Sequence, residues 1–229
     1  MTEWYGDNFR SENKKLILFS IKKIILITNM LQDYETNFTL NQIPSDLDVK
    51  DKIIYSLIEK QANDLNSSTF REDISLRLIG YENSSGKLGY DGFDASANRQ
   101  LEVKPKNFTG KSKLSGQGNF TDYTWKRLQK YTDDNVKMVV SGFHYGKIAY
   151  ILEFDFCEEQ FQNRLKTQLT KRFPEGDVKG QYLRSASFGW NHFNECKSLT
   201  LKYISPHIET YKAGFTRTFY KFLLKLPKV

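Results

Sequence analysis

Cysteine occurs only at positions 157 and 196, too few for a disulfide framework, which favours a reducing, cytoplasmic setting. Histidine is almost as scarce. His144, His192 and His207, taken with the two cysteines, make no set at zinc-finger spacing. Long hydrophobic runs are missing too. The most apolar stretch, 16–31, carries Lys22 and Lys23 at its middle, which interrupts the run of about 18 apolar residues that a membrane span requires. No small-residue cleavage site follows it, so it does not read as a signal peptide. A membrane partner is therefore not expected, and there are no internal repeats or low-complexity tracts.

What remains is the balance of a globular chain of 229 residues, 39% hydrophobic and 27% charged, with enough apolar material for one core. Thirty-four Lys and Arg against 27 Asp and Glu leave a net charge of +7. Such a surplus suits a polyanionic partner, although many basic proteins share it.

Spacing predicts the elements. Residues 14–31 alternate apolar pairs with lysines and read as a helix, either an ordinary core helix or one laid on a second subunit. Residues 51–65 read as another helix, with Glu59 on its polar face. Ile74, Leu76 and Leu78 alternate with polar neighbours, which predicts a strand. Two short strands, 89–95 and 100–104, follow, joined by a tight turn at 96–99, with Pro105 ending the second. Residues 108–119 form a loop, and Thr121 or Asp122 caps a helix carrying Trp125, Leu128 and Tyr131. A strand pair over 136–143 and 147–156 precedes a helix at 157–173 that Pro174 stops. Short aromatic-rich strands then lead from Tyr182 to Ile204 and a basic tail. The fold class is α/β, with α+β as the alternative, built on a central mixed sheet flanked by helices.

The hairpin at 89–104 carries the chemistry. Glu102 and Lys104 are two apart on a strand and share a face. With the turn centred between Ala97 and Asn98, residue 91 lies opposite 104 and 93 opposite 102, so Asp91 joins that face and Asp94 points away. A slip of one residue would exchange the two aspartates. Two convergent carboxylates offer hard oxygen ligands to Mg²⁺, and the backbone carbonyl of Val103, between the two side chains, is a further ligand. A metal so held activates water and a phosphoryl group, while the Lys104 ammonium stabilises developing negative charge and orients or helps deprotonate the attacking water. A solvated structural hairpin, or a plain binding module, is the competing reading of the same residues.

Asp91 followed by Glu102-Val103-Lys104 resembles the signature of the PD-(D/E)XK nucleases, which include many Type II restriction endonucleases. The stretch Gly89-Tyr-Asp-Gly-Phe-Asp-Ala with Leu101-Glu-Val-Lys104 is similar to the active-site hairpin of PvuII-like restriction enzymes. Tyr90 stands where the signature has proline, and no counterpart of the histidines that read bases in those enzymes is evident in 108–119. The resemblance implies a restriction-endonuclease-like fold. It also implies Asp91 and Glu102 as metal ligands, Lys104 as the catalytic lysine, Mg²⁺ as cofactor, and a homodimer acting on double-stranded DNA. The expected reaction is sequence-specific hydrolysis to 5′-phosphate and 3′-hydroxyl ends. The chain would be one nuclease domain, with 1–35 an arm and helix for dimerisation, 36–156 the catalytic core and 157–229 the DNA-recognition and C-terminal part. Two alternatives stay open: a structure-specific nuclease of the same superfamily, of junction-resolving or repair type, and a basic nucleic-acid-binding module without activity.

Several residues join the candidate site. Glu59 is an accessory carboxylate if it reaches the metal, and Glu82 would stand at the rim. Lys106, Lys111 and Lys113 are expected to set the salt dependence of DNA binding. Gln117 and Asn119 offer amides suited to adenine, Arg184 a guanidinium suited to guanine, and Asn191 and His192 further polar groups beside Trp190. Free N–H groups at the helix start near Thr121 and Asp122 would hold a phosphate.

Overall fold

The computed structural model of the chain describes residues 56–58, 60–84 and 89–227. Among them run the strands β1 (Glu82–Asn83), β2 (Gly92–Asp94), β3 (Arg99–Phe108), β4 (Gly118–Tyr123), β5 (Lys137–His144), β6 (Lys147–Asp155), β7 (Leu183–Phe188) and β8 (Thr200–Ile204). The helices are α1 (Thr69–Leu78), α2 (Trp125–Asp133), α3 (Glu159–Arg172) and α4 (Arg217–Leu223). Six strands make a mixed sheet in the order β1-β2-β3-β5-β6-β8, while β4 and β7 pair separately. Only β3 and β5 are parallel within that sheet; the crossover between them carries β4 and α2. Among the described residues, no helix is long and apolar enough to cross a membrane.

The two faces of the sheet bury different layers. Leu101, Val103, Val139 and Ile151 pack with Ile74 and Leu76 of α1. Met138, Val140, Leu152 and Phe154 face the larger layer, built with Tyr131 of α2, Phe161 and Leu165 of α3 and Phe219 of α4. β5 and β6 are buried along almost their whole length, as their near-continuous apolar sequence requires of central strands. Their turn places Tyr145 and Gly146 at φ 50° and 79°, the left-handed pair that fits the twist of a two-residue hairpin.

Several expectations need correction. Residues 69–78 are helical, not a strand. Burial falls at Arg71, Ile74, Ser75 and Leu76, and because two of these four are polar the helical period is faint in hydropathy. The Arg71 guanidinium donates to the carbonyls of Ala62, Asp64 and Ser67, each at 2.8 Å, and Ser75 Oγ bonds Arg71 O and Ser141 Oγ, both at 2.7 Å. Pro105 does not end β3, which continues to Phe108. β2 accompanies β3 only to Leu101, so the missing donor of Pro105 falls on a free edge. Thr121 and Asp122 belong to β4 rather than to a cap; Thr124 caps α2, its Oγ1 accepting from Arg127 N at 3.1 Å. The basic tail contains α4. Of the helix expected over 51–65, the described residues 56–58 and 60–62 are helical, whereas 63–65 form a turn and bend that end it earlier. The 14–31 helix and Glu59 lie outside the described residues.

Candidate active site

The β2–β3 register pairs Gly92 with Leu101, Phe93 with Gln100 and Asp94 with Arg99, which sets Asp91 opposite Glu102 rather than Lys104. The expected register is off by two residues. Because side chains alternate with period two, a shift of two leaves every residue on its expected face. Asp94 accounts for the tighter turn. Its Oδ1 accepts from Ser96 N at 3.0 Å, Ser96 Oγ at 2.6 Å and Ala97 N at 3.2 Å, and Asn98 supplies the left-handed residue at φ 51°. Its Oδ2 meets Lys137 Nζ at 3.0 Å. Burial works against that charge, but the bonds from Ser96, Lys137 and Ala97 outweigh it and hold the carboxyl down at about 2. Asp94 is therefore a turn-forming, ion-paired residue on the face opposite Glu102.

Asp91 immediately precedes β2. Its N–H donates to Leu101 O at 3.0 Å, and its Oδ2 accepts from Val103 N at 2.7 Å. The carboxylate thus takes the place of the next ladder partner on the free edge of β3. Backbone groups of alternate strand residues turn to the same side, so the Val103 carbonyl faces that edge as well.

Glu102 and Lys104 project from β3 onto the face of Met138 and Val140, their partners in β5. Glu102 is 3% exposed and fully engaged. Lys104 Nζ pairs with Oε1, Tyr131 OH donates to Oε2 at 2.8 Å, and Arg127 Nη2 lies 3.6 Å from Oε1. Arg127 also donates to Tyr131 OH at 2.8 Å and to Thr121 O at 2.7 Å. Burial, then the charge of Glu102, pushes the Tyr131 hydroxyl far up, so it remains a donor. Arg127 and Tyr131 lie one turn apart on α2; the sequence marks Tyr131 only as a helix residue and does not single out Arg127. The spacing of two polar-tipped side chains at i and i+4 was the available signal. β4 closes over this pair: a Cβ on Gly118 would lie 2.4 Å from Phe188 Cζ and 2.9 Å from Lys104 Cβ, so only glycine permits the approach.

The electrostatics single out Asp91. Burial, then the neighbouring charge of Glu102, raises its carboxyl from 3.8 to about 7, against the opposing pull of Lys104. Glu72, on α1, adds a further negative contribution. It is a third acid, on a helix that the sequence does not predict. The edge thus brings together hard oxygen donors of the kind that suit a divalent cation. Among the described residues there is no group of three or more His, Cys, Asp or Glu side chains disposed to hold a metal ion. Mg²⁺ commonly uses one or two carboxylates with waters and substrate oxygens, so Asp91, Glu102 and the Val103 carbonyl fit that ion rather than a fully protein-caged one.

Beside this edge runs a groove of about 420 Å³, lined by residues 65–68, 71, 72 and 103–107 and by Gly118, Asn119 and Thr121. Of the predicted DNA contacts, Lys106 and Asn119 line it, and Lys106 Nζ donates to Asn119 Oδ1 at 3.2 Å. The others lie elsewhere. Lys111 and Lys113 are exposed on the 109–117 loop. Gln117 spends its amide on that loop, accepting from Ser115 N and Oγ and donating to Lys113 O. Arg184 is exposed on β7, Asn191 is exposed in the turn after it, and His192 Nδ1 accepts from Gly189 N at 3.0 Å. Glu82 is exposed on β1. The start of α2 offers no free amides to a phosphate, because the Asp177 carboxylate accepts from Trp125 N at 2.7 Å and Lys126 N at 2.8 Å. No family model matches this sequence, and no curated protein shows significant similarity to it.

Proposed function

We propose that this protein is a Mg²⁺-dependent DNA endonuclease of the PD-(D/E)XK type, acting as a sequence-specific restriction enzyme on double-stranded DNA. The observation that carries the reading is the convergence of Asp91 and Glu102 at the free edge of β3, with Lys104 paired to Glu102 and a cationic groove alongside. A divalent cation at this edge would polarise the scissile phosphate and acidify a coordinated water. Asp91 and Glu102 would hold it, with the Val103 carbonyl. Lys104 places its ammonium next to Glu102, where it can orient the attacking water and stabilise the charge that develops on phosphoryl oxygen. Tyr131 helps hold Glu102 in one orientation by donating to Oε2, and the Arg127 guanidinium adds a nearby positive charge 3.6 Å from Oε1. The net charge of +7 favours a polyanion over small neutral substrates. Homodimerisation, which matches a two-fold protein to a palindrome, and a cytoplasmic location belong to the same proposal.

The test is digestion of plasmid and phage DNA with Mg²⁺ by the wild type, Glu102→Ala and Lys104→Ala. Discrete fragments from linear duplex, lost in both variants, are expected. Cleavage persisting in either variant rejects the site, and activity confined to branched or mismatched DNA replaces the restriction reading with a structure-specific one.

A further inference from the structure

We propose that Lys106, together with Arg71 and Asn119 in the same groove, seats a second phosphate of the nucleic-acid strand, adjacent to the one held at Asp91, Glu102 and Lys104. The inference rests on the nuclease reading for the identity of the polyanion, and adds to it the place of a specific backbone contact.

Lys106 follows Lys104 by two residues on β3, so both project from one face, roughly 6.6 Å apart along the strand. That separation is comparable with the spacing of successive phosphates along one nucleic-acid strand. The two lysines differ in what surrounds them. Lys104 is paired with Glu102, whereas no ion pair among the described residues includes Lys106. Its hydrogen-bond partner is the neutral amide of Asn119. Burial, then Arg71, then Lys104 lowers its pKa, so a half-buried ammonium stands between two other cations without a counter-charge. Such an arrangement is unfavourable by itself and becomes favourable when an anion enters.

Arg71 supplies an independent observation. It lines the groove, is 7% exposed, and keeps its buried Nε without a hydrogen-bond partner while its terminal nitrogens hold the carbonyls of 62, 64 and 67. A phosphate accepts from such donors, and Thr121 supplies a further hydroxyl on the same wall, those of Ser67 and Ser68 being donated to Thr69 Oγ1 and Glu72. Glu72, the acid in the groove, is engaged by Ser68 Oγ at 2.5 Å and contributes its charge at Asp91.

The experiment is a salt series of binding by fluorescence anisotropy, using a short labelled DNA duplex of mixed sequence in EDTA, so that no cleavage intervenes. Wild type, Lys106→Ala, Lys106→Gln and Lys106→Arg are compared. Loss of one phosphate contact lowers the slope of log K against log salt by about 0.9. That reduction is expected for Lys106→Ala and Lys106→Gln, and the Arg variant is expected to retain the wild-type slope. Lys106→Gln can still reach Asn119, and keeps the test decisive if the Ala variant does not fold. A merely structural role would weaken folding without moving the slope. Unchanged slopes in both neutral variants, or a wild type that does not bind the duplex, overturn the proposal. A Lys106-dependent slope in a protein that never cleaves DNA would refute the nuclease reading and leave the phosphate seat standing.

Discussion

Replacing Asp91 by Asn is expected to make the metal-free protein more stable at neutral and alkaline pH, against the usual outcome of a mutation in a folded interior. Burial and Glu102 raise the Asp91 carboxyl to about 7 in the folded chain, from an ordinary value of 3.8. A raised pKa means that the folded state keeps a proton the unfolded chain has released. The stabilisation is fully present below about pH 4 and is lost as pH rises through about 7. The gap between the two values, at about 1.4 kcal/mol per pH unit, sets a ceiling of about 4 kcal/mol on the loss. Asn cannot ionise, yet its carbonyl can still accept from Val103 N–H. Urea denaturation of both proteins in EDTA, from pH 4 to 8.5, should therefore show curves that coincide at the acid end. They should separate in favour of the variant and run parallel above about pH 7. At about 2–4 °C per kcal/mol for a chain of this size, thermal melts resolve the same gap. Mg²⁺ should raise the wild-type curve at pH 8 and leave the variant nearly unchanged, because an ion that binds only the native state stabilises by mass action. A variant less stable than wild type at pH 8, or a gap independent of pH, refutes the electrostatic account of this edge.

Two more outcomes follow from neighbouring contacts. Tyr131→Phe removes the donor to Glu102 Oε2 and leaves a buried carboxylate oxygen unpartnered. It should cost about 1.5–3 kcal/mol in denaturation experiments and slow single-turnover cleavage while DNA affinity is maintained. Equal cleavage rates would show that Glu102 needs no support from α2. Asp94→Ala removes the turn bonds to residues 96 and 97 and the pair with Lys137, with an expected loss of about 3 kcal/mol near neutral pH. With its carboxyl held down at about 2, Asp94 contributes stability above about pH 4 that disappears as pH falls through 2, so the two denaturation profiles should converge in strong acid. If Asp94→Ala folds normally and abolishes cleavage, Asp94 takes over the role assigned to Asp91.

The sequence by itself determined those features that depend on local periodicity. The β5–β6 hairpin, α3 and its end before Pro174, the shared face of Glu102 and Lys104, and the mixed sheet flanked by helices were all legible there. Apolar runs, turn residues and a period of two survive small errors in register. The two-residue shift at the hairpin sets Asp91 beside Glu102 rather than Lys104, with its carboxylate at the open edge of β3. α1 was not legible, because Arg71 and Ser75 fill buried positions of its helical face with polar groups satisfied by distant carbonyls and by Ser141. Tertiary structure alone brought Glu72, Arg127 and Tyr131 to the carboxylate edge, from helices separated from it in sequence. It also started β2 only at Gly92, so that the Asp91 carboxylate could replace a ladder partner. Such placements depend on which strand lacks a neighbour and which helix end packs over it, properties of long-range contacts that no local spacing encodes. The pressure on Asp91 to stay neutral arises in the same way, from burial and from charges that only folding brings together.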